Sequence, residues 1–259
     1  MSTRYLKRYP DQGARERALS NYGWLASLGP VAILPRLFRA RHGALLSFEH
    51  VKGRHALPED LPVLAAHLGG MHGAAHARDL HQASLPEPHH TRTGYMLPGF
   101  ADGRLDAVTR ELQAGQVADA RLTVHEAREL IMGTDGPAAF YKDANPRNFL
   151  ITPAGDAVTV DFDDLTLAPF GYDLAKLIVT LAMTHGPLPA PDIAAALSTY
   201  NTAIDRQCAA LPGVKWEELL SWAEVHHILT SRYAADGRYP YRWDQARPSA
   251  HPTGDRTWP

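Results

Sequence analysis

The sequence predicts an α+β chain: a small sheet-bearing amino-terminal lobe with one helix, then a larger, mainly helical lobe. Three observations carry this reading. Residues 4–51 hold an alternating run and two further strand-like runs around one helical segment. From residue 58 onward helical periodicity dominates. A cluster of short apolar runs at 138–162, broken by turn residues, interrupts that helical region.

Arg4 to Tyr9 alternates charged and apolar residues, the period of a half-buried strand. Pro10, Asp11 and Gly13 break it. A helix follows over 14–28, with Leu19, Tyr22 and Leu25 on one face and Gly29-Pro30 as its stop. Residues 31–39 and 44–51 read as two strands joined around His42-Gly43. A linker at 52–59 leads into a helix over 58–80, where Leu61, Leu64, Leu68 and Met71 recur at helical spacing. Residues 85–98 contain three prolines and little periodicity, so they read as a loop. Shorter helices fit 105–112 and 124–132. The runs 138–141, 149–152 and 157–162 are separated by Pro146-Arg147 and by Pro153 to Asp156, and two of them form a hairpin. Helices over 190–211 and 216–233 are split by Pro212-Gly213, and 239–259 reads as an extended tail. The expected division is therefore 1–51, 52–238 and 239–259.

Of the 259 residues, 45% are hydrophobic and 21% charged, an ordinary globular balance. The net charge of −2 shows no basic footprint of the kind that binds nucleic acid or a membrane surface, so neither partner is expected. No apolar run reaches the roughly 18 residues of a membrane span, and the amino terminus lacks the apolar core of a signal peptide. A single cysteine, Cys208, allows no internal disulfide and points to a reducing, cytoplasmic setting.

The chemistry concentrates in three stretches: Phe140 to Thr152, Val158 to Asp164, and Gly171 to Ala175. Asp143 follows an apolar strand and shares its loop with Asn145, Pro146 and Asn148. Asp161 ends another strand, with Asp163 and Asp164 just beyond. A hairpin brings the Asn148 and Asp161 ends together, gathering carboxylates and an amide oxygen. Magnesium takes hard oxygen ligands, one or two of them protein carboxylates beside substrate phosphates. A further carboxylate can accept a proton from a hydroxyl.

The order and spacing of Asp143-x4-Asn148, Val160-Asp161-Phe162-Asp163 and Tyr172-Asp173-Leu174-Ala175 resemble the aminoglycoside phosphotransferase and choline kinase superfamily, relatives of the protein kinases. The resemblance implies a bilobal protein-kinase-like fold with a truncated N-lobe sheet. It also implies transfer of the γ-phosphate of ATP or GTP to a hydroxyl of a small molecule: an aminoglycoside-like antibiotic, a sugar or an amino alcohol. Asp143 takes the role of catalytic base. Asn148 and Asp161 hold Mg²⁺, with Asp163 as a further metal contact. Asp173 ties the catalytic loop to its helix. Lys7 corresponds to the phosphate-binding lysine and Glu16 to its ion-pair partner, while backbone groups near Glu49 and Val51 meet the base of the nucleotide. Leu68 to His72 matches the family's Leu-x-x-Leu-His segment.

The sequence departs from this pattern in two places. The loop begins Tyr141-Lys142-Asp143 where the family has His-Gly-Asp, so Tyr141 is expected beneath the metal-binding strand. Lys142 is expected as a cation beside the transferring phosphoryl group. Only six residues precede Lys7, where the family places two strands and a phosphate-covering turn. The alternative expectation is therefore a nucleotide-binding pseudokinase or partner module. His72 and His76, at the spacing of a zinc pair, read as packing residues without a third ligand. Trp222, Glu224, His226, His227 and Asp205 are further acceptor-contact candidates in the carboxy-terminal helices.

Overall fold

The computed structural model describes residues 4–38, 43–101 and 103–248. The first lobe contains β1 (Arg4–Arg8), α1 (Gln12–Ser27), β2 (Leu37–Phe38) and β3 (Leu45–Glu49). Its antiparallel sheet has the order β1-β3-β2, with Arg4 opposite Glu49 and Arg8 opposite Leu45. Leu46 and Phe48 point into the core, whereas Tyr5 and Leu6 on the edge strand are exposed. Asp11, expected as a breaker, is also the cap of α1. Its Oδ1 accepts from Ala14 N at 2.8 Å, satisfying a donor that the first helical turn leaves free.

The strand expected over 31–39 is largely absent. Gly29–Val31 is a 3₁₀ turn and strand pairing covers only Leu37–Phe38. Pro30 and Pro35 lack the N–H a ladder needs. The remaining polar groups bond elsewhere: Ile33 O accepts from Thr159 N at 2.9 Å, and Leu37 N donates to the Tyr22 hydroxyl at 3.2 Å. The turn expected at His42 and the last residues of the tail lie outside the described residues.

The second lobe runs through β4 (Arg54–His55), α2 (Leu61–Arg78), β5 (His89–His90), β6 (Met96–Leu97), α3 (Arg104–Gln113), α4 (Val124–Met132), β7 (Ala138–Tyr141), β8 (Phe149–Ile151), β9 (Ala157–Thr159) and β10 (Thr166–Pro169). It ends with α5 (Tyr172–His185), α6 (Ala190–Asp205), α7 (Trp216–Ala235) and α8 (Trp243–Ala246). The helix α2 is buried nearly all round rather than along one stripe. Gly69 explains how α6 comes so near: a Cβ there would lie 2.4 Å from Tyr200 O. Two of the three expected apolar runs pair as β8 and β9, with β4 added on the other side of β8. The third, β7, pairs with β10, a strand the sequence reading missed, placing Tyr141 opposite Thr166. The proline-rich segment 85–98 holds the short β5–β6 hairpin.

The carboxy-terminal segment is not an extended tail. Tyr241 N donates to Met183 O at 3.1 Å, and Trp243 is fully buried with its indole N–H on Glu224 at 3.0 Å. Arg247 closes this contact through Glu224 Oε1 at 2.8 Å and Oε2 at 2.6 Å. None of the described helices is long and apolar enough to cross a membrane.

Candidate active site

The strand β7 delivers its chain into a loop whose geometry is set from below by Asp173. Asp173 Oδ2 accepts from Lys142 N at 3.1 Å and Oδ1 from Ala144 N at 2.7 Å. Two backbone donors on either side of Asp143 are thereby fixed to the first turn of α5. Burial pushes the Asp173 carboxyl up to about 6, against the nearby Lys142 and the two backbone donors, which favour its ionised form. Asn148 completes the loop: its Nδ2 donates to Asp143 O at 2.8 Å, while its backbone O accepts from Val160 N at 2.9 Å. That chain of bonds draws Asp143, Asn148 and Asp161 together. Asp143 (φ 60°) and Asp161 (φ 58°) both adopt left-handed backbone, a costly state for a non-glycine residue that concentrates at functional sites.

The Asp143 carboxylate is half exposed, at 47% of its side-chain surface. Its Oδ1 accepts from the Tyr141 hydroxyl at 3.0 Å and lies 3.5 Å from Lys176 Nζ. Tyr141 therefore reaches the catalytic-loop aspartate itself, not only the strand beneath it. Burial holds the Tyr141 hydroxyl protonated, well above its ordinary range. The Tyr141 ring lies parallel to that of His226, with centroids 6.1 Å apart, and the Arg104 guanidinium sits 5.0 Å from the ring centre.

Across the cleft, Lys7 Nζ lies 2.7 Å from Asp161 Oδ1 and 2.6 Å from Asp163 Oδ2, and the Tyr9 hydroxyl approaches Asp163 Oδ1 at 3.3 Å. Burial disfavours the Lys7 charge, but the two carboxylates outweigh it and hold the ammonium protonated. Burial also pushes the Asp163 carboxyl up, against the pull of Lys7. Phe162 fixes this segment by packing on Tyr22 and Phe48, with ring centroids 5.4 and 5.7 Å away. Asn21 was missed in the sequence. Its buried Nδ2 donates to Phe162 O and Asp163 O, both at 2.8 Å, tying α1 to the carboxylate segment. The available signal was an amide on the buried face of α1, beside Ala18, Trp24 and Leu25.

A cleft of about 500 Å³ lies between these groups. Tyr5, Lys7, Phe48, Glu49, His50 and Val51 line one side, and Asn148, Leu150, Val160, Asp161 and Phe162 the other. The expected hinge residues Glu49 and Val51 thus border the same space as Lys7 and Asp161.

Two expected roles need correction. Glu16 is not the ion-pair partner of Lys7. It is exposed on α1 and accepts from Gln12 Nε2 at 2.7 Å, while Lys7 is held by the two aspartates. Lys142 does not stand beside the reacting groups. It follows the end of β7 and turns inward, leaving it 2% exposed with Nζ 4.2 Å from the centre of the Phe149 ring. Nζ has no hydrogen-bond partner among the described residues, and burial lowers its pKa.

Several acceptor-contact candidates pack instead. Trp222 and His226 are 1% exposed, and Glu224 is taken up by Trp243 and Arg247. His227 Nε2 meets Ala118 O at 2.8 Å and His226 Nε2 meets Tyr172 O at 2.9 Å. His72 Nδ1 bonds the Tyr200 hydroxyl at 2.7 Å and His76 Nδ1 meets Ala138 O at 3.0 Å, so both serve the α2 packing.

The fold and site define a two-lobed, protein-kinase-like phosphotransferase. The chain belongs to the phosphotransferase enzyme family, which it matches over residues 2–211, and is an enzyme of the small-molecule kinase class. Among solved structures it resembles an amicoumacin kinase in complex with AMP-PNP and Ca²⁺, at 13% identity and TM-score 0.60, over 89% of this chain and 72% of that one. Macrolide 2′-phosphotransferase MphH from Brachybacterium faecium is similar at 16% identity and TM-score 0.58, over 95% and 83%. Choline kinase LicA from Streptococcus pneumoniae is similar at 14% identity and TM-score 0.54, over 91% and 79%. No curated protein matches the sequence significantly.

Proposed function

We infer that the chain transfers the γ-phosphate of ATP or GTP, with Mg²⁺, to a hydroxyl of a small molecule, with Asp143 as the base. The acceptor classes are an aminoglycoside-like antibiotic, a sugar or an amino alcohol. The observation that carries this reading is the linked pair of half-exposed carboxylates, Asp143 and Asp161, both on left-handed backbone and joined through Asn148, with Asn148 and Asp161 lining the cleft.

The residues fit a magnesium ion. Asp161 and Asp163 supply hard carboxylate oxygens, and the use of Asn148 Nδ2 on Asp143 O leaves its Oδ1 for a ligand. The Lys7 ammonium between the same carboxylates marks a place where this chain already holds positive charge. Mg²⁺ there supplies charge neutralisation of the phosphates. Lys7 exchanges an aspartate for a phosphate oxygen when nucleotide enters. The backbone at Glu49 to Val51 meets the base, and Phe48 and Leu150, on opposite sides of the cleft, cover its faces. Asp143 orients the acceptor hydroxyl and takes its proton as the new P–O bond forms. Little covalent work falls to the protein in this chemistry, so positioning and charge supply most of the acceleration.

A nucleotide-turnover screen with a panel of hydroxyl compounds tests the reading. Phosphorylated acceptor should appear with Mg²⁺ and ATP or GTP, and Asp143→Asn should lower turnover by roughly 10²–10⁴-fold, the usual share of a general base. Nucleotide binding without turnover on any acceptor would replace this reading with a non-catalytic nucleotide module.

A further inference from the structure

We propose that Lys176 is a catalytic residue that contacts the transferred phosphoryl group, taking the position beside Asp143 that the sequence assigned to Lys142. The inference rests on the phosphotransferase reading above.

Three observations carry it. Lys176 stands one turn beyond Asp173 on α5, so the helix that anchors the loop backbone also presents this side chain to the loop. Its Nζ lies 3.5 Å from Asp143 Oδ1, and the side chain is 10% exposed. Oδ1 already accepts from the Tyr141 hydroxyl at 3.0 Å, so Lys176 is an ion-pair neighbour of that oxygen and retains N–H groups for another ligand. Lys142 cannot fill this role, because its Nζ is buried against Phe149.

The placement suits phosphoryl transfer. The nucleotide end of the cleft has Lys7, set against Asp161 and Asp163. The acceptor end has a carboxylate that must face an anionic group in flight, and the cation beside that carboxylate is Lys176. In the transfer, the bond from the terminal phosphorus to the bridging oxygen breaks and its electron pair leaves with the nucleoside diphosphate. A bond from phosphorus to the acceptor oxygen forms, and the hydroxyl proton passes to Asp143. Lys176 gives an N–H to an equatorial oxygen of the moving group. With Oδ1 of Asp143 engaged by Tyr141, Oδ2 is the atom left for the acceptor hydroxyl.

The test needs no acceptor. ADP with Mg²⁺ is titrated calorimetrically into the full chain, with and without fluoroaluminate as a mimic of the phosphoryl group in transit. Fluoroaluminate should tighten ADP binding by at least about tenfold, as expected of a transition-state mimic. Lys176→Met and Lys176→Gln should bind ADP and Mg²⁺ within about twofold of the parent yet lose that gain, and Lys176→Arg should keep most of it, because contact with a phosphoryl oxygen is a charge-assisted hydrogen bond. Thermal unfolding without ligand checks that each variant folds, and the arginine variant retains the charge if the neutral ones do not fold. A full fluoroaluminate gain in the neutral variants, no gain in the parent, or loss of the gain in the arginine variant overturns the proposal. Failure of the parent to bind ADP and Mg²⁺ at all sinks the phosphotransferase reading instead.

Discussion

At the residue scale, Lys142 and Tyr141 show how two substitutions beside one aspartate take opposite directions. Lys142 carries its ammonium into the core, near His67 and His72, where burial works against its charge. Tyr141 sends its hydroxyl to the Asp143 carboxylate. An unpaired buried cation is costly, and an apolar replacement of similar length removes that cost. Lys142→Met is therefore expected to leave turnover within a few-fold and to stabilise the protein by about 1–3 kcal/mol in urea denaturation. A large loss of turnover with unchanged nucleotide affinity would return Lys142 to the reacting groups. Asp173 behaves differently. Removing its carboxylate by Asp173→Ala strands the Lys142 and Ala144 amides, at about 1–3 kcal/mol for each donor left unpaired. Turnover should fall as the loop loosens, which steady-state kinetics beside a denaturation curve would register.

At the scale of elements, β10 and the carboxy-terminal segment are what the sequence concealed. The strand β10 runs only from Thr166 to Pro169, too short for an alternation signal, and it is held by pairing with β7. The tail carries no periodicity, yet Trp243 is fully buried and Arg247 pairs with Glu224 in a water-poor site, their side chains 4% and 2% exposed. Breaking such a pair strands a buried charge. Arg247→Ala is expected to cost about 3–5 kcal/mol of stability in chemical denaturation, with nucleotide affinity unchanged. A cost below about 1 kcal/mol, the range of an exposed pair, would mean that the segment is not docked.

At the scale of the whole molecule, buried histidines set the pH response. Burial holds His67 and His72 down at about 3, and His226 well below its ordinary value. The folded state keeps these rings neutral while the unfolded chain protonates them below about 6.5. The unfolded state then binds more protons, so stability falls as pH drops through the window from about 6.5 to 3. His67 and His72 should each remove about 2 kcal/mol between pH 7 and 5, and His226 acts in the same direction. Asp173 acts in the opposite sense: its carboxyl, raised to about 6, gives the folded state the extra proton, so its contribution improves as pH falls below that value. Asp163 and Glu218, also raised, act with Asp173, and His227, also lowered, acts with the other histidines; the histidines dominate, and denaturation midpoints should decrease from pH 7 to 5. A midpoint that holds or rises would contradict this account.

Much of the molecule was legible in its sequence because the signals are local. Helical periodicity marked α2, α6 and α7, and the spacing of Asp143, Asn148 and Asp161 follows from one loop and one hairpin. The family motifs themselves lie within 33 residues of chain, Tyr172-Asp173-Leu174-Ala175 closing what Asp143 opens. What the tertiary structure decided depends on which side chains meet across long separations. Lys7 bonds Asp161 and Asp163 more than 150 residues away rather than Glu16 nearby, because those carboxylates converge on its side chain. Asn21 reaches Phe162 and Asp163 for the same reason. Lys176 meets Asp143 because Asp173 pins the loop to α5, and the Lys142 side chain turns inward onto Phe149. Spacing along the chain fixed which carboxylates form the site; packing in three dimensions fixed which cations face them.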